Sequence, residues 1–417
     1  MKKQLFWLFF LLCGCTSSKV QDELVCLQII DRNDLTKTIS NEERLKNFAK
    51  TDFLSSQPYK QVVQVYQQKQ NNQKLSKITS YYPSGGLWQY LEVKDSRAYG
   101  SYRQFHPNGA PALKATVIGG PASLSLEDQK KWLFDGESLA FNEEGKTIGR
   151  FFYEKGFLEK TGFYYYPSGQ VQKQIPYLHG EIQGELLEYF EQGELKSKTS
   201  FVGNQKQGPA SGFFASGKIH YQEKYENGRL LEGVYFNADQ ELCSFIQNGK
   251  GWKSLFENGL LSSQMEYLEG QSCGQVKIFD SKGAIVSHYR QKNQKKEGEE
   301  IEFYPNGKPK ISLTWHEDQI QGTLKTWYEN GALASLSEWL ENEKNGLSSA
   351  WYQDGSVMLL EEYENGKLKK GQYYRKGEKS PLSGVHDGSG LATLFDGEGN
   401  FLKKITYVQG KPEDPSR

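Results

Sequence analysis

Apolar and polar residues alternate through most of this chain with the two-residue period of a strand, and glycine interrupts the alternation at regular intervals. One stretch shows the logic. After Gly322 come Thr323-Leu324-Lys325-Thr326-Trp327-Tyr328, then Glu329-Asn330-Gly331, then Ala332-Leu333-Ala334-Ser335-Leu336-Ser337-Glu338-Trp339. Two β-prone runs flanking Asn-Gly predict a hairpin, because the turn needs a residue at positive φ and glycine takes that conformation without strain. Pro305-Asn306-Gly307 and Pro167-Ser168-Gly169 offer the same turn chemistry.

The glycines keep a strict period. Gly85 and Gly109, then Gly145, Gly169, Gly193 and Gly217, then Gly259, Gly283, Gly307, Gly331 and Gly355 each advance by 24 residues within their group. Four positions earlier stands an aromatic residue, such as Tyr81, Phe105, Tyr165, Phe213, Phe303, Trp327 or Trp351; Leu255 is the exception, with Phe256 next to it. Two positions after the glycine comes an aliphatic residue, such as Leu87, Val171, Leu195, Ile219, Leu333 or Val357. An aromatic or apolar residue follows six later, an even offset that shares the strand face. A second glycine, 15 after the first at Gly100, Gly184, Gly208, Gly274, Gly298, Gly322 and Gly346, reads as the loop from one hairpin to the next.

A lone hairpin is barely stable in water, so the units must support one another laterally. The expected fold is all-β: an elongated antiparallel ribbon of stacked hairpins, with a short N-terminal helical segment. About thirteen units at about 4.8 Å per strand would span on the order of 120 Å. Residues 59–410 form the array, and 411–417 a tail. Gly109 to Gly145 holds an insert that includes residues 123–132. One period after Gly217 the chain has Glu241 where a glycine is expected. Beyond Gly355 the period degrades, and the Gly-rich stretch 383–390 reads as a loop. Residues 15–58 lack the repeat and read as a tether; Ser40 with Glu43 makes a capping box before Leu45 and Phe48, predicting a short helix over the first sheet edge.

Composition supports many short strands rather than ordinary globules. Hydrophobic residues make up only 36% while aromatics reach 13%, too many for disorder, and glycine is abundant at 43. The 51 basic residues balance the 51 acidic ones, which gives no phosphate-neutralising surface and argues against nucleic acid as a partner.

The N-terminus changes the picture of where the chain works. Met1-Lys2-Lys3 precedes an apolar run from Leu5 to Leu12, and then Cys13-Gly14-Cys15-Thr16. The run is shorter than the ~20 residues of a bilayer-spanning helix and has the form of a signal peptide over 1–14. Leu12-Cys13-Gly14-Cys15 resembles the bacterial lipobox, which implies acylation of Cys15 and a membrane-anchored lipoprotein of the cell envelope. Thr16 after the lipid site favours the outer membrane by resemblance to the enterobacterial sorting pattern. Cys26, Cys243 and Cys273 remain besides the anchor, an odd number that cannot complete a disulfide framework; Cys243 with Cys273 is one pairing open to them, and small half-apolar packing positions the other.

Catalytic chemistry is not apparent. The six histidines, His106, His179, His220, His288, His316 and His386, are scattered over different units, and the chain has no His-Glu-x-x-His, Cys-x-x-Cys or P-loop. Asp387-Gly388-Ser389-Gly390 has the look of a serine nucleophile segment without the His and Asp context. Neither metal nor cofactor is expected. An enzyme would need groups converging from the irregular segments 123–132 or 383–390.

Trp327-Tyr328-Glu329-Asn330-Gly331-Ala332-Leu333 and Phe303-Tyr304-Pro305-Asn306-Gly307 resemble the MORN-repeat-variant family of bacteria, over roughly residues 60–410. The resemblance implies stacked hairpins. It departs from the standard eukaryotic MORN unit in glycine spacing. Some variant-repeat proteins are labelled antitoxin-like, and the leader argues against a cytoplasmic antitoxin. The function expected is a non-enzymatic, lipid-anchored scaffold with a protein partner in the cell envelope. The alternative is a binding module for membrane lipid headgroups or cell-wall glycan.

Overall fold

A computed structural model describes residues 23–48, 50–67 and 73–413, so Cys15 and the leader lie outside the described residues. Within it are 35 strands and two short helices, Glu42–Lys46 and Leu126–Gln129. The described strand pairs are antiparallel, and with few exceptions each strand pairs with its neighbours in sequence. The chain divides into two units, Met1–Gly193 and Glu194–Arg417, each an open meander of hairpins.

The glycine-marked turn is built the same way in repeat after repeat, except at Gly259, which with Asn258 forms a two-residue turn between Glu257 and Leu260. Gly331 N–H donates to the Tyr328 carbonyl at 2.8 Å, and Tyr328 N–H donates to the Ala332 carbonyl at 2.9 Å. Gly331 sits at φ +95°, and the Asn330 side chain accepts from Ala332 N–H at 2.8 Å. The strand register shifts beside it, between Thr326 and Trp327. This is a type I turn closed by a glycine bulge, a common three-residue hairpin connection.

The connection between hairpins differs from the expectation. It is not at the second glycine. Leu340 pairs with Glu343 across Glu341 and Asn342, at φ +50° and +69°, a two-residue turn tighter than the glycine-marked one. Gly346 instead lies inside the strand Glu343–Trp351, at φ +110°, where the ladder skips between Ser337 and Trp339. The bulge leaves a backbone N–H free for a side chain. Leu347 N–H donates to the Glu338 carboxylate at 3.1 Å, as Ser101 does to Glu92 and Gln275 to Glu266, both at 2.8 Å. At Gly100, Gly274 and Gly346 the second glycine is thus a bulge that receives a carboxylate from the strand before it.

Side chains tie each hairpin to the next. The tyrosine three residues before the turn glycine donates its hydroxyl to a backbone carbonyl about one repeat ahead: Tyr304 to Trp327 at 2.7 Å, Tyr328 to Trp351 at 2.8 Å and Tyr352 to Tyr374 at 2.6 Å. Tyr82 and Tyr166 do the same to Phe105 and Tyr189. At the opposite ends of the strands, Gly156 N–H donates to Phe134 O and Gly180 N–H to Leu158 O, so successive two-residue turns are linked as well.

The segment read as a tether begins the sheet instead. Strand Glu23–Ile30 pairs on one side with Gln61–Gln67 and on the other with Thr36–Ile39. Leu27, Ile29 and Ile39 pack with Leu45 of the first helix and with Phe53, Val62 and Tyr81. The sequence reading missed these strands because they pair without the repeat's glycine punctuation. The helix starts one residue later than expected, with Asn41 rather than Ser40 accepting from Arg44 N–H at 3.2 Å.

Candidate functional site

The two stretches where the period breaks have clear structures. In the insert 123–132, Ser125 caps the helix Leu126–Gln129 and Trp132 is buried. The Trp132 indole packs edge-on against Tyr102 at 4.8 Å and donates to the Pro121 carbonyl at 2.8 Å. It completes a core rather than lining a reaction site. The stretch 383–390, expected as a loop, is most of a hairpin of strands Ser383–His386 and Ser389–Phe395, with Val385 buried and Ser389 paired to His386. Cys243 and Cys273 are both free thiols, half-buried, and burial pushes the Cys243 thiol upward from its ordinary value. The described histidines stay apart in separate units, and among the described residues no three His, Cys, Asp or Glu side chains converge as a metal site would need.

The third irregularity, after Gly217, is where groups gather. The expected turn is present with Gln240 at φ +68° in the glycine's place, and Gln240 N–H donates to the Asn237 carbonyl at 3.0 Å. The following strand, Leu242–Gln247, pairs with the next, Lys250–Glu257, through Ile246 and Gln247 alone, and the turns around it close on one another, which bends the sheet here. Three turns then meet in a ring. Gly249 N–H donates to Leu231 O, Gly270 N–H to Gly249 O, and Leu230 N–H to Gly270 O, at 2.8, 2.9 and 3.0 Å.

The bend encloses a charge. Leu230, Tyr235 and Ile246 are buried around Glu223, whose carboxylate accepts from the hydroxyls of Tyr225 at 2.8 Å and Tyr235 at 2.7 Å. Lys253 closes on the same carboxylate at 2.5 Å. Burial alone would raise the Glu223 carboxyl; Lys253 and the two phenols outweigh it and hold it below the usual carboxylate range. Burial and the adjacent carboxylate push both tyrosines upward, so they remain donors. With every group engaged, the network is a structural lock and not an acid–base pair awaiting substrate.

At the bend two large apolar side chains are exposed among polar ones. Phe245, paired across the strands with Val234, is 55% exposed, and Leu242 is 57% exposed. Both line a cavity of about 510 Å³ that includes Gln222, Lys224 and Glu232. They also line a second of about 420 Å³ with Cys243, Trp252 and Lys277, where Lys277 sits over the Trp252 ring at 4.4 Å.

This module occurs twice. Tyr225-Glu226-Asn227-Gly228 recurs 138 residues on as Tyr363-Glu364-Asn365-Gly366, and the surrounding core follows it. Leu230, Tyr235 and Ile246 become Leu368, Tyr373 and Val385, all buried. Glu361 accepts from Tyr373 at 2.9 Å and Tyr363 at 3.1 Å. The ring of turns recurs through Lys369, Gly388, Gly410 and Leu368. Two of the differences bear on the charge and on the surface. Lys253 becomes Ala392, and Lys344 stands by the carboxylate instead, at 3.6 Å. Phe245 becomes Gly384. The fold of the module therefore does not require the exposed phenylalanine. The longer Glu-x-Tyr-Glu-Asn-Gly, at 223–228 and 361–366, was the signal in the sequence that could have revealed the duplication; Tyr-Glu-Asn-Gly alone also stands at 328–331 in a regular turn.

Two stretches of the chain, residues 158–179 and 296–317, match the MORN repeat variant family. Each corresponds to one hairpin with its glycine turn, strand Phe157–Tyr165 with Val171–Leu178 and strand Gly298–Phe303 with Pro309–His316. These two stretches are thus similar to MORN-variant repeats and lie within an all-β array of hairpins. No curated protein matches the chain.

Proposed function

We propose that the protein is a non-enzymatic scaffold, anchored in the bacterial cell envelope through lipidated Cys15, that docks a protein partner at the bend around Phe245. The array supplies the backbone, and the bend presents an aromatic and a leucine to solvent beside two formed cavities. The observation that carries this reading is the pair of modules: the same core, with Phe245 exposed in one and Gly384 at its place in the other. Exposed aromatics beside formed cavities are the usual anchors of protein interfaces. The basic leader and the Leu12-Cys13-Gly14-Cys15 tetrad support the lipid anchor and an outer-membrane address.

The test is in-cell photocrosslinking from position 245 of the full-length protein, with position 347, equally exposed, as control. A single partner captured from 245, absent from 347 and lost with Cys15→Ala, supports the scaffold. Capture of lipid or murein alone would replace it with the ligand-binding alternative. Equal capture from both positions would remove the docking site.

A further inference from the structure

We propose that the paired strands Arg97–Phe105 and Pro111–Gly119 carry a binding site for a tetrahedral oxyanion, a phosphate or sulfate group. It lies in the first unit, and goes beyond the protein-docking reading. Arg103 stands directly opposite Lys114, and Ser101 directly opposite Thr116. Arg103 and Ser101 share one strand face, and the guanidinium donates to the serine hydroxyl at 3.2 Å. These four residues line a cavity of about 410 Å³ together with Glu137. Glu137 is already committed to Arg150 at 2.5 Å, so it does not neutralise the pair. Among the described residues neither Arg103 nor Lys114 has an ion-pair partner; Arg103 lies over the Tyr90 ring and Lys114 over the Phe141 ring.

The array is its own control for this site. At the same register other hairpins set Thr79 against Tyr90, Phe163 against Gln174 and Ile301 against Ser312. Lys325 faces Leu336, a lone cation against an aliphatic residue. Like charges directly opposite one another destabilise a sheet, and among the described pairs at this register only Lys277 against His288 also sets two basic residue types together. In the row beside it, Lys77 faces Glu92, a balanced pair, where the site has only Ser101 and Thr116. A fixed guanidinium, an ammonium and two hydroxyls within one cross-strand square supply donors to several oxygens of one anion. A bound oxyanion turns the repulsive pair into a satisfied one.

The probe is inorganic phosphate, added to the full-length Cys15→Ala chain, with thermal unfolding and calorimetry as readouts and sodium chloride at matched ionic strength as control. Phosphate is expected to raise the unfolding midpoint where chloride does not. Lys114→Leu, which places at 114 the residue found at the matching position 336, is expected to fold at least as stably without phosphate and to bind at least about tenfold more weakly. Sedimentation with phosphatidylglycerol against phosphatidylcholine vesicles identifies the source. Retention on the anionic vesicles that free phosphate competes away assigns a lipid headgroup, and a phosphate shift without retention assigns a soluble ester. An equal effect of chloride, unchanged binding by Lys114→Leu, or neither shift nor retention would overturn the site.

Discussion

At the residue scale, the module at the bend is held by a carboxylate that cannot be left alone. Replacing Glu223 with Gln would strand the Lys253 ammonium, only 14% exposed, beside neutral groups. Breaking a buried pair from one side costs about 3–5 kcal/mol. Lys253→Ala should cost clearly less, because the second module already tolerates Ala392 there and balances Glu361 with Lys344, the counterpart of Lys206. Urea denaturation of both variants tests the order; equal losses would mean the two modules balance their charges differently than their geometry indicates. His220 gives a pH dependence. Its ring is packed among Phe214, Phe256 and Tyr221, with Nε2 buried and unpartnered. Burial first, and then Lys253, lowers its basicity below the ordinary imidazole value of 6.5, with Glu223 opposing. The folded protein therefore binds fewer protons than the unfolded chain in that range, so stability present above pH 6.5 is lost as pH falls below it. The second module has Met358 at this position. His220→Met should flatten the fall between about pH 7.5 and 5.5, roughly one unit either side of the imidazole value, leaving the steeper loss below about pH 4.5 to carboxylates such as Glu223.

At the scale of one hairpin, the two turns differ in how far composition reveals them. Gly331 was legible because its αL conformation strains any other residue in a fixed position of the repeat, and its replacement by Ala should cost about 1–2 kcal/mol. The intervening turns were legible only in part: Asn227-Gly228 and Asn365-Gly366 carry the Asn-Gly signal, and several others do not. They place His179, Asn204, Glu269 and Asp318 at positive φ, and such residues are equally at home in strands' polar positions or in loops. The bulge glycines, being the more conspicuous residue, drew the loop assignment to themselves. At Tyr82, Tyr166, Tyr304, Tyr328 and Tyr352 the hydroxyl three residues before the turn glycine spans to the next hairpin. Tyr328→Phe keeps the ring and leaves the Trp351 carbonyl without that donor. Its expected cost is about 1 kcal/mol, read from chemical denaturation. A loss under a few tenths would mean water replaces the hydroxyl without penalty.

At the scale of the whole molecule, the fold class followed from period alone, since any chain that repeats strand, turn, strand must bury each hairpin against the next. The candidate docking site did not follow. An exposed Phe245 in a strand is ordinary by itself, and becomes informative only beside Gly384 in a module otherwise kept intact. The same nearest-neighbour pairing governs how the molecule should come apart. Its contacts gather into two units that divide after Gly193, and each strand is held chiefly by its immediate neighbours. Arrays of this kind unfold as coupled segments rather than as one. Urea unfolding followed by tryptophan fluorescence and by hydrogen exchange should therefore give at least two transitions, with Trp88 and Trp132 reporting the first unit and Trp252, Trp315 and Trp339 the second. Leu230→Ala removes a fully buried side chain from the bend, a loss of about 2–5 kcal/mol. It should move the second unit's transition and leave protection at Leu91 and Val117 in the first unit unchanged. One coincident transition, shifted as a whole by Leu230→Ala, would show that cooperativity runs the length of the chain despite the local pairing.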